Sequence, residues 1–199
     1  MEFFRKAAGR PSRLGVLPGT FNPITIAHLA LARAALAHVD EVVFTLPRVF
    51  PHKEYSGASF PERVELLCAA LTGDAAFSVA AADSGLFAGI AGECHASYGE
   101  GVRLTFLCGR DAAERVAAWD YGRPGAFAGM LRQFDLLVAS RGGEYAPPPE
   151  YRAAMRCLEL AGEFGHVSAT EVRARIARGD PWEHLVPEAV RERVREIYA

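Results

Sequence analysis

Residues 14–29 read LGVLPGTFNPITIAHL. The first four, LGVL, are a short apolar run without polar alternation, the pattern of a strand covered on both faces. Pro18 and Gly19 then turn the chain, and Thr25 stands where an N-cap belongs, with His28 in the first turn of the helix that follows. Strand, turn and helix in that order make one βα unit. The free backbone N–H groups and the positive end of the helix dipole face the same spot as His28, which suits a phosphate. On position alone, a plain helix cap and a surface histidine explain these residues equally well.

The pattern repeats along the chain. Apolar runs with β character occur at residues 14–17, 42–46, 77–80, 104–108 and 136–139, and helical patterns separate most of them. Alternation of this kind predicts an α/β fold with a doubly wound parallel sheet and helices on both faces. Ser59 with Glu62 and Ser168 with Glu171 each have capping-box spacing ahead of a helix, and Gly179-Asp180-Pro181 stops the second of these. A helical C-terminal segment, residues 187–198, places Val190, Val194 and Ile197 on one face. Residues 119–125 and 140–150 are turn-rich loops. No linker or repeat divides the chain, so residues 14–199 read as a single domain. Residues 1–13 read as an N-terminal arm, either disordered or engaged with a partner.

Composition narrows the function classes. A net charge of −2 over 199 residues argues against a general nucleic-acid binder, which needs clustered cations. The longest uncharged stretch, residues 14–32, holds two prolines, Asn22 and His28, and lacks the roughly 20 consecutive apolar residues of a membrane span. With no apolar core of signal-peptide length near the N-terminus, a cytoplasmic protein is expected. The four cysteines, Cys68, Cys94, Cys108 and Cys157, form no CxxC pair, which suits buried thiols in a reducing compartment rather than a zinc site. A homo-oligomer is left open.

Three polar stretches fall beyond strand ends, where an open α/β sheet binds its ligands. The first is the GTFN turn with His28. The second is Pro51-His52-Lys53, whose lysine reads either as a solvated charge or as an anion ligand. The third is residues 167–173, VSATEVR, where Thr170 and Arg173 share one face of a first helical turn and Arg173 has the fork to hold a phosphate. There is no GxxxxGK[ST] and no GxGxxG after the first strand, which sets aside a P-loop kinase and a dinucleotide-binding dehydrogenase.

Taken together, these stretches resemble the cytidylyltransferase-like superfamily of nucleotidyltransferases. GTFNPITIAH is similar to its GTF turn followed by HxGH or TxGH, and SATEVR is similar to its second signature, SSTxxR. Within the superfamily the likeness is strongest to bacterial nicotinate mononucleotide adenylyltransferases. FPHK resembles their PPHK, FLCGRDAAERVAAW resembles FxxGxD with a tryptophan eight residues on, and LVPEAVRERVREIY resembles their C-terminal LVPxxVxxYI. Two departures stand out. Ala27 occupies the glycine position of the signature, where a methyl group meets a close backbone approach. The family's SYTVDTL element, which helps hold the nicotinate ring and its carboxylate, is replaced by Asp83-Ser84-Gly85-Leu86-Phe87.

The resemblance implies a Rossmann-like sheet and transfer of an adenylyl group from ATP to a nicotinate mononucleotide-type acceptor, with Mg²⁺ accompanying the ATP. It implies His28, Lys53 and Arg173 as catalytic residues, with ATP held by Gly19, Thr20, Phe21, Thr25, His28, Gly109, Asp111, Ser168, Thr170 and Arg173. Asn22, Lys53, Ser84 and Trp119 would hold the acceptor, and no protein side chain would be a dedicated metal ligand. Phosphopantetheine or another phosphate acceptor, and nucleotide binding without turnover, are the alternatives the two departures leave open.

Overall fold

The computed structural model describes residues 1–49, 57–119, 121–122, 124–139, 145–162 and 164–199. Six strands run parallel: β2 (Arg13–Pro18), β3 (Glu41–Pro47), β4 (Phe77–Ala82), β5 (Arg103–Gly109), β6 (Phe134–Ala139) and β7 (Met155–Leu158). An antiparallel edge strand, β1 (Glu2–Arg5), pairs with β4, giving the order β1-β4-β3-β2-β5-β6-β7. Each of the five predicted apolar runs lies inside one of these strands.

Side chains alternate between the two faces, as the two-residue period of a strand requires. On β5, Leu104, Phe106 and Cys108 join one core layer and Leu107 the other; on β6, Leu136 and Val138 oppose Leu137 and Ala139. One layer is built by α1 (Ile26–Ala35), α2 (Phe60–Ala70), α6 (Ala169–Arg178) and α7 (Arg191–Tyr198). The other contains α3 (Phe87–Tyr98), α4 (Arg110–Ala118) and α5 (Ala126–Met130). The chain winds outward from β2 through β3 to β4, and α3 then carries it back across the sheet to β5. The winding therefore reverses between β2 and β5, which places a ligand crevice beyond their carboxyl ends.

Helix starts follow the sequence closely. Thr25 and Ser59 are N-caps, and the Ser59 amide donates to Glu62 Oε2 at 2.7 Å in a full capping box. At α6 only half of the expected box forms: Ser168 Oγ accepts from the Glu171 amide at 3.0 Å, while the Glu171 carboxylate is drawn to Arg175 Nε at 2.7 Å. A charged partner one turn on outcompetes the neutral cap amide. Gly179 closes α6 at φ +72°, and Val190 and Val194 are buried beneath the C-terminal segment as expected.

The N-terminal arm requires correction, because residues 2–5 form a docked strand. Phe3 packs edge-on against Tyr98 at 5.7 Å and Phe4 against Phe60 at 6.0 Å, while Arg5 caps the carbonyls of Leu71 and Asp74. A buried polar chain adds to the anchor: the Ala7 amide donates to Ser78 Oγ, and Ser78 and Tyr98 hydroxyls both donate to Glu41 Oε1, at 2.6 and 2.5 Å. β7, also unforeseen, is only four residues long and follows a turn-rich stretch. The thiols are free; Cys94 and Cys108 are buried as expected, Cys68 is half-buried, and Cys157 is exposed because it lies on the edge strand β7. Among the described residues, no helix is long and apolar enough to cross a membrane.

Candidate functional site

The turn after β2 is held open from beneath. The Gly19 amide still bonds to the Thr45 carbonyl of β3 at 3.0 Å, after which Phe21 takes a left-handed φ of +47°. This fold-back lays the Phe21 ring over Gly19, where a Cβ would stand 2.9 Å from Cζ, so glycine is required. The ring is buried and packs on His28 and Phe44, with centroids 5.2 and 5.6 Å apart. What Phe21 offers a nucleotide is therefore main chain, and its side chain belongs to the core.

Thr25 and His28 form a capping pair of unusual composition. The Thr25 amide donates to His28 Nδ1 at 3.0 Å, and Thr25 Oγ1 lies 2.9 Å from the same nitrogen. The imidazole thus fills the role that a glutamate takes in an ordinary capping box. Because Nδ1 accepts, the neutral ring carries its proton on Nε2, which makes Nε2 a donor. Thr25 is fully buried and serves as the cap, while His28 is half-buried at the helix start. Ala27 is 2 % exposed and belongs to the core of this layer, so its methyl group packs on protein.

Two arginines grip the turn through its carbonyls. Arg173 Nη1 donates to the Asn22 carbonyl, and to its own helix at Ala169 O at 3.3 Å. Arg63 Nη1, from α2, donates to the Thr20 carbonyl at 3.1 Å. The Arg173 contact joins the two distant motifs in space: α6 reaches the GTFN turn across 151 positions of sequence. Ser168 is spent as the α6 cap, whereas Thr170 is exposed in the first turn.

Arg63 escaped the sequence reading, yet it is only 4 % exposed. The signal was there: Arg63 heads a stripe with Leu66, Leu67 and Ala70 at helical spacing, a cation on a buried face. Asn22, expected at the acceptor, has its side-chain oxygen engaged within the protein. Its Oδ1 accepts from the Ala58 amide at 3.3 Å and from the Tyr198 hydroxyl at 2.5 Å, tying the C-terminus to the turn.

On the other side of the crevice, Gly109 ends β5 and pairs with Ala139, and Asp111 is exposed in the first turn of α4. Burial pushes the Cys108 thiol up to about 12, so it is no nucleophile despite lying one residue from Gly109. A pocket of about 170 Å³ opens between α3 and α4, lined by Leu86, Phe87, Arg115, Val116, Trp119 and Tyr121 among others. Trp119 is 41 % exposed there. Ser84 does not line this pocket. Its amide donates to Glu93 at 2.9 Å and its hydroxyl accepts from the Leu86 amide at 3.2 Å, so it shapes the turn that opens α3. Lys53, with Pro51 and His52, lies outside the described residues.

The resulting array is a main-chain turn, a helix N-terminus, an imidazole donor and guanidinium groups around one crevice. Such a set binds and stabilises phosphate oxygens. Among the described residues no group of three or more His, Cys, Asp or Glu comes together to hold a metal.

Known proteins are similar to this chain in sequence and in fold. A protein of Bordetella avium, named as a probable nicotinate-nucleotide adenylyltransferase, is 32 % identical over 196 residues, covering 92 % of this chain and 95 % of its own. Proteins of the same name from Exiguobacterium sibiricum and Moorella thermoacetica are 30 % and 28 % identical, each over 94 % of this chain and over 99 % and 90 % of their own. The fold is shared with the nicotinic acid mononucleotide adenylyltransferase of Plasmodium falciparum, solved in complex with NaAD. That match has a TM-score of 0.68 at 12 % identity and covers 91 % of this chain and 95 % of the other. Residues 16–175, from β2 into α6 and through both the GTFN turn and SATEVR, match the model of the Cytidylyltransferase-like family, and the chain belongs to that family.

Proposed function

We propose that this protein transfers the adenylyl group of ATP to nicotinate mononucleotide, releasing pyrophosphate in a step of NAD biosynthesis. The observation that carries this reading is the contact of Arg173 with the Asn22 carbonyl, which draws the two phosphate-facing motifs to one crevice. The names of the full-length relatives support the acceptor.

The acceptor phosphate is already an anion, so an oxygen of that group attacks the α-phosphorus of ATP in line. The new P–O bond forms as the bond to the pyrophosphate oxygen breaks, and no protein base is needed. Catalysis is then positioning together with stabilisation of charge on the transferring group. His28 Nε2–H donates to an α-phosphate oxygen while Thr25 holds the ring in that tautomer. Arg173 and Thr170 serve the β- and γ-phosphates, with Ser168 fixing the helix start beneath them. Gly19, Thr20 and the Phe21 main chain cradle the nucleotide, and Gly109 and Asp111 face its adenosine. Lys53 holds the acceptor phosphate, and Trp119 stacks on the pyridine ring. Mg²⁺ accompanying the ATP would neutralise phosphate charge during the transfer, and a site built of donors rather than carboxylates would leave the ion to the substrate.

The test is pyrophosphate release from Mg·ATP with nicotinate mononucleotide, its amide analogue and phosphopantetheine in parallel. Turnover greatest with nicotinate mononucleotide supports the reading. Preference for phosphopantetheine replaces the acceptor, and ATP binding without release from any acceptor replaces the enzyme with a nucleotide-binding protein.

A further inference from the structure

The pocket beside Trp119 is mostly apolar, and among the described residues Arg115 is its one charged lining residue. Arg115 lies four residues before Trp119, so guanidinium and indole come to the same side of α4. The other arginine of this helix, Arg110, is held by Glu114 at 2.7 Å. Arg115, in contrast, is exposed and makes no hydrogen bond or ion pair to any described residue. Across the pocket, the first turn of α3 contains no acidic residue. The pocket therefore combines a flat aromatic wall with an uncommitted cation, and no described carboxylate lines it to cancel that charge.

We propose that Arg115 is a specificity-determining residue that reads a carboxylate on the acceptor's aromatic ring, favouring an acidic pyridine over its neutral amide. This rests on the reading of the acceptor given above. A guanidinium beside a ring carboxylate forms a charge-assisted pair that an amide cannot match. Because Arg115 is exposed, the discrimination weakens as salt screens the pair.

The experiment measures kcat/KM for nicotinate mononucleotide and for nicotinamide mononucleotide in the wild type, R115Q and R115K, at low and high ionic strength. In R115Q the acid-to-amide ratio falls on the order of ten- to a hundredfold, through KM for the acid. KM for ATP and the melting temperature stay unchanged, and R115K recovers part of the ratio. A ratio unchanged in R115Q overturns the proposal, as does an equal loss for both acceptors, which would mark Arg115 as a support for the helix C-terminus. Wild-type protein that turns over neither pyridine mononucleotide overturns the acceptor reading itself, and that failure shows before any variant is made.

Discussion

The main-chain amide of Thr25 donates to Nδ1 of His28 at 3.0 Å, so one histidine both caps helix α1 and presents its other nitrogen as a donor. The two roles differ in size. Losing the cap costs about 1 kcal/mol, which lowers the melting temperature by about 2–4 °C in a protein of this length. Losing a preorganised donor to a transferring phosphoryl group costs on the order of 10² in kcat. His28→Ala is expected to show both effects, by steady-state pyrophosphate release and thermal melting. Full turnover in the variant would remove His28 from the chemistry.

Arg173→Ala removes the donor to the Asn22 carbonyl together with the charge proposed to serve the β- and γ-phosphates. A charged hydrogen bond contributes about 1.5–3 kcal/mol, so ATP affinity should fall roughly ten- to a hundredfold. Arg173→Lys keeps the charge but loses the fork and should recover only part. Isothermal calorimetry decides this, and equal ATP affinity in all three proteins would leave Arg173 as a turn anchor alone.

Asn22→Ala tests scaffold against acceptor contact. The Ala58 amide and the Tyr198 hydroxyl share the Asn22 Oδ1 acceptor, so its loss should cost about 1–3 kcal/mol of stability in urea. Tyr198→Phe should cost less, and the double variant less than the sum. A raised acceptor KM with unchanged stability would instead put Asn22 at the substrate.

Thiol reactivity should separate the four cysteines. Burial pushes Cys94 and Cys108 up to about 12, whereas Cys157 is exposed on the edge strand. A chromogenic disulfide at pH 8 should label Cys157 first, Cys68 more slowly, and the other two only after denaturation. Rapid labelling of Cys108 in native protein would contradict its packing.

Acid sensitivity should trace in part to Asp40. Its carboxyl is held well below the usual range by Arg13, through both its side chain and its amide, and by Ser12. A carboxyl lower in the folded than in the unfolded chain adds stability above the unfolded value. That contribution fades as pH falls through the range below about 4. Asp40→Asn should flatten that part of the stability–pH curve and leave the neutral region less affected. An unchanged acid slope would show that other carboxylates carry it.

The sequence by itself determined the α/β alternation, the five central strands and the caps at Thr25, Ser59 and Ser168, because these rest on local periodicity and on hydrogen bonds spanning three residues. It also singled out GTFN, His28 and SATEVR, which folding brings together through the Arg173 contact with the Asn22 carbonyl. Only the tertiary structure decided what each polar side chain is spent on. Asn22 and Ser84 make hydrogen bonds within the protein, Phe21 and Ala27 pack in the core, and Arg63 is a buried brace on Thr20. The arm became a strand because its partners, Ser78, Glu41, Tyr98 and β4, lie more than thirty positions away. The physical reason is common to all of these cases. A short strand or a lone polar residue has no local energy large enough to declare its role, and its role is set by the partners that folding brings within reach.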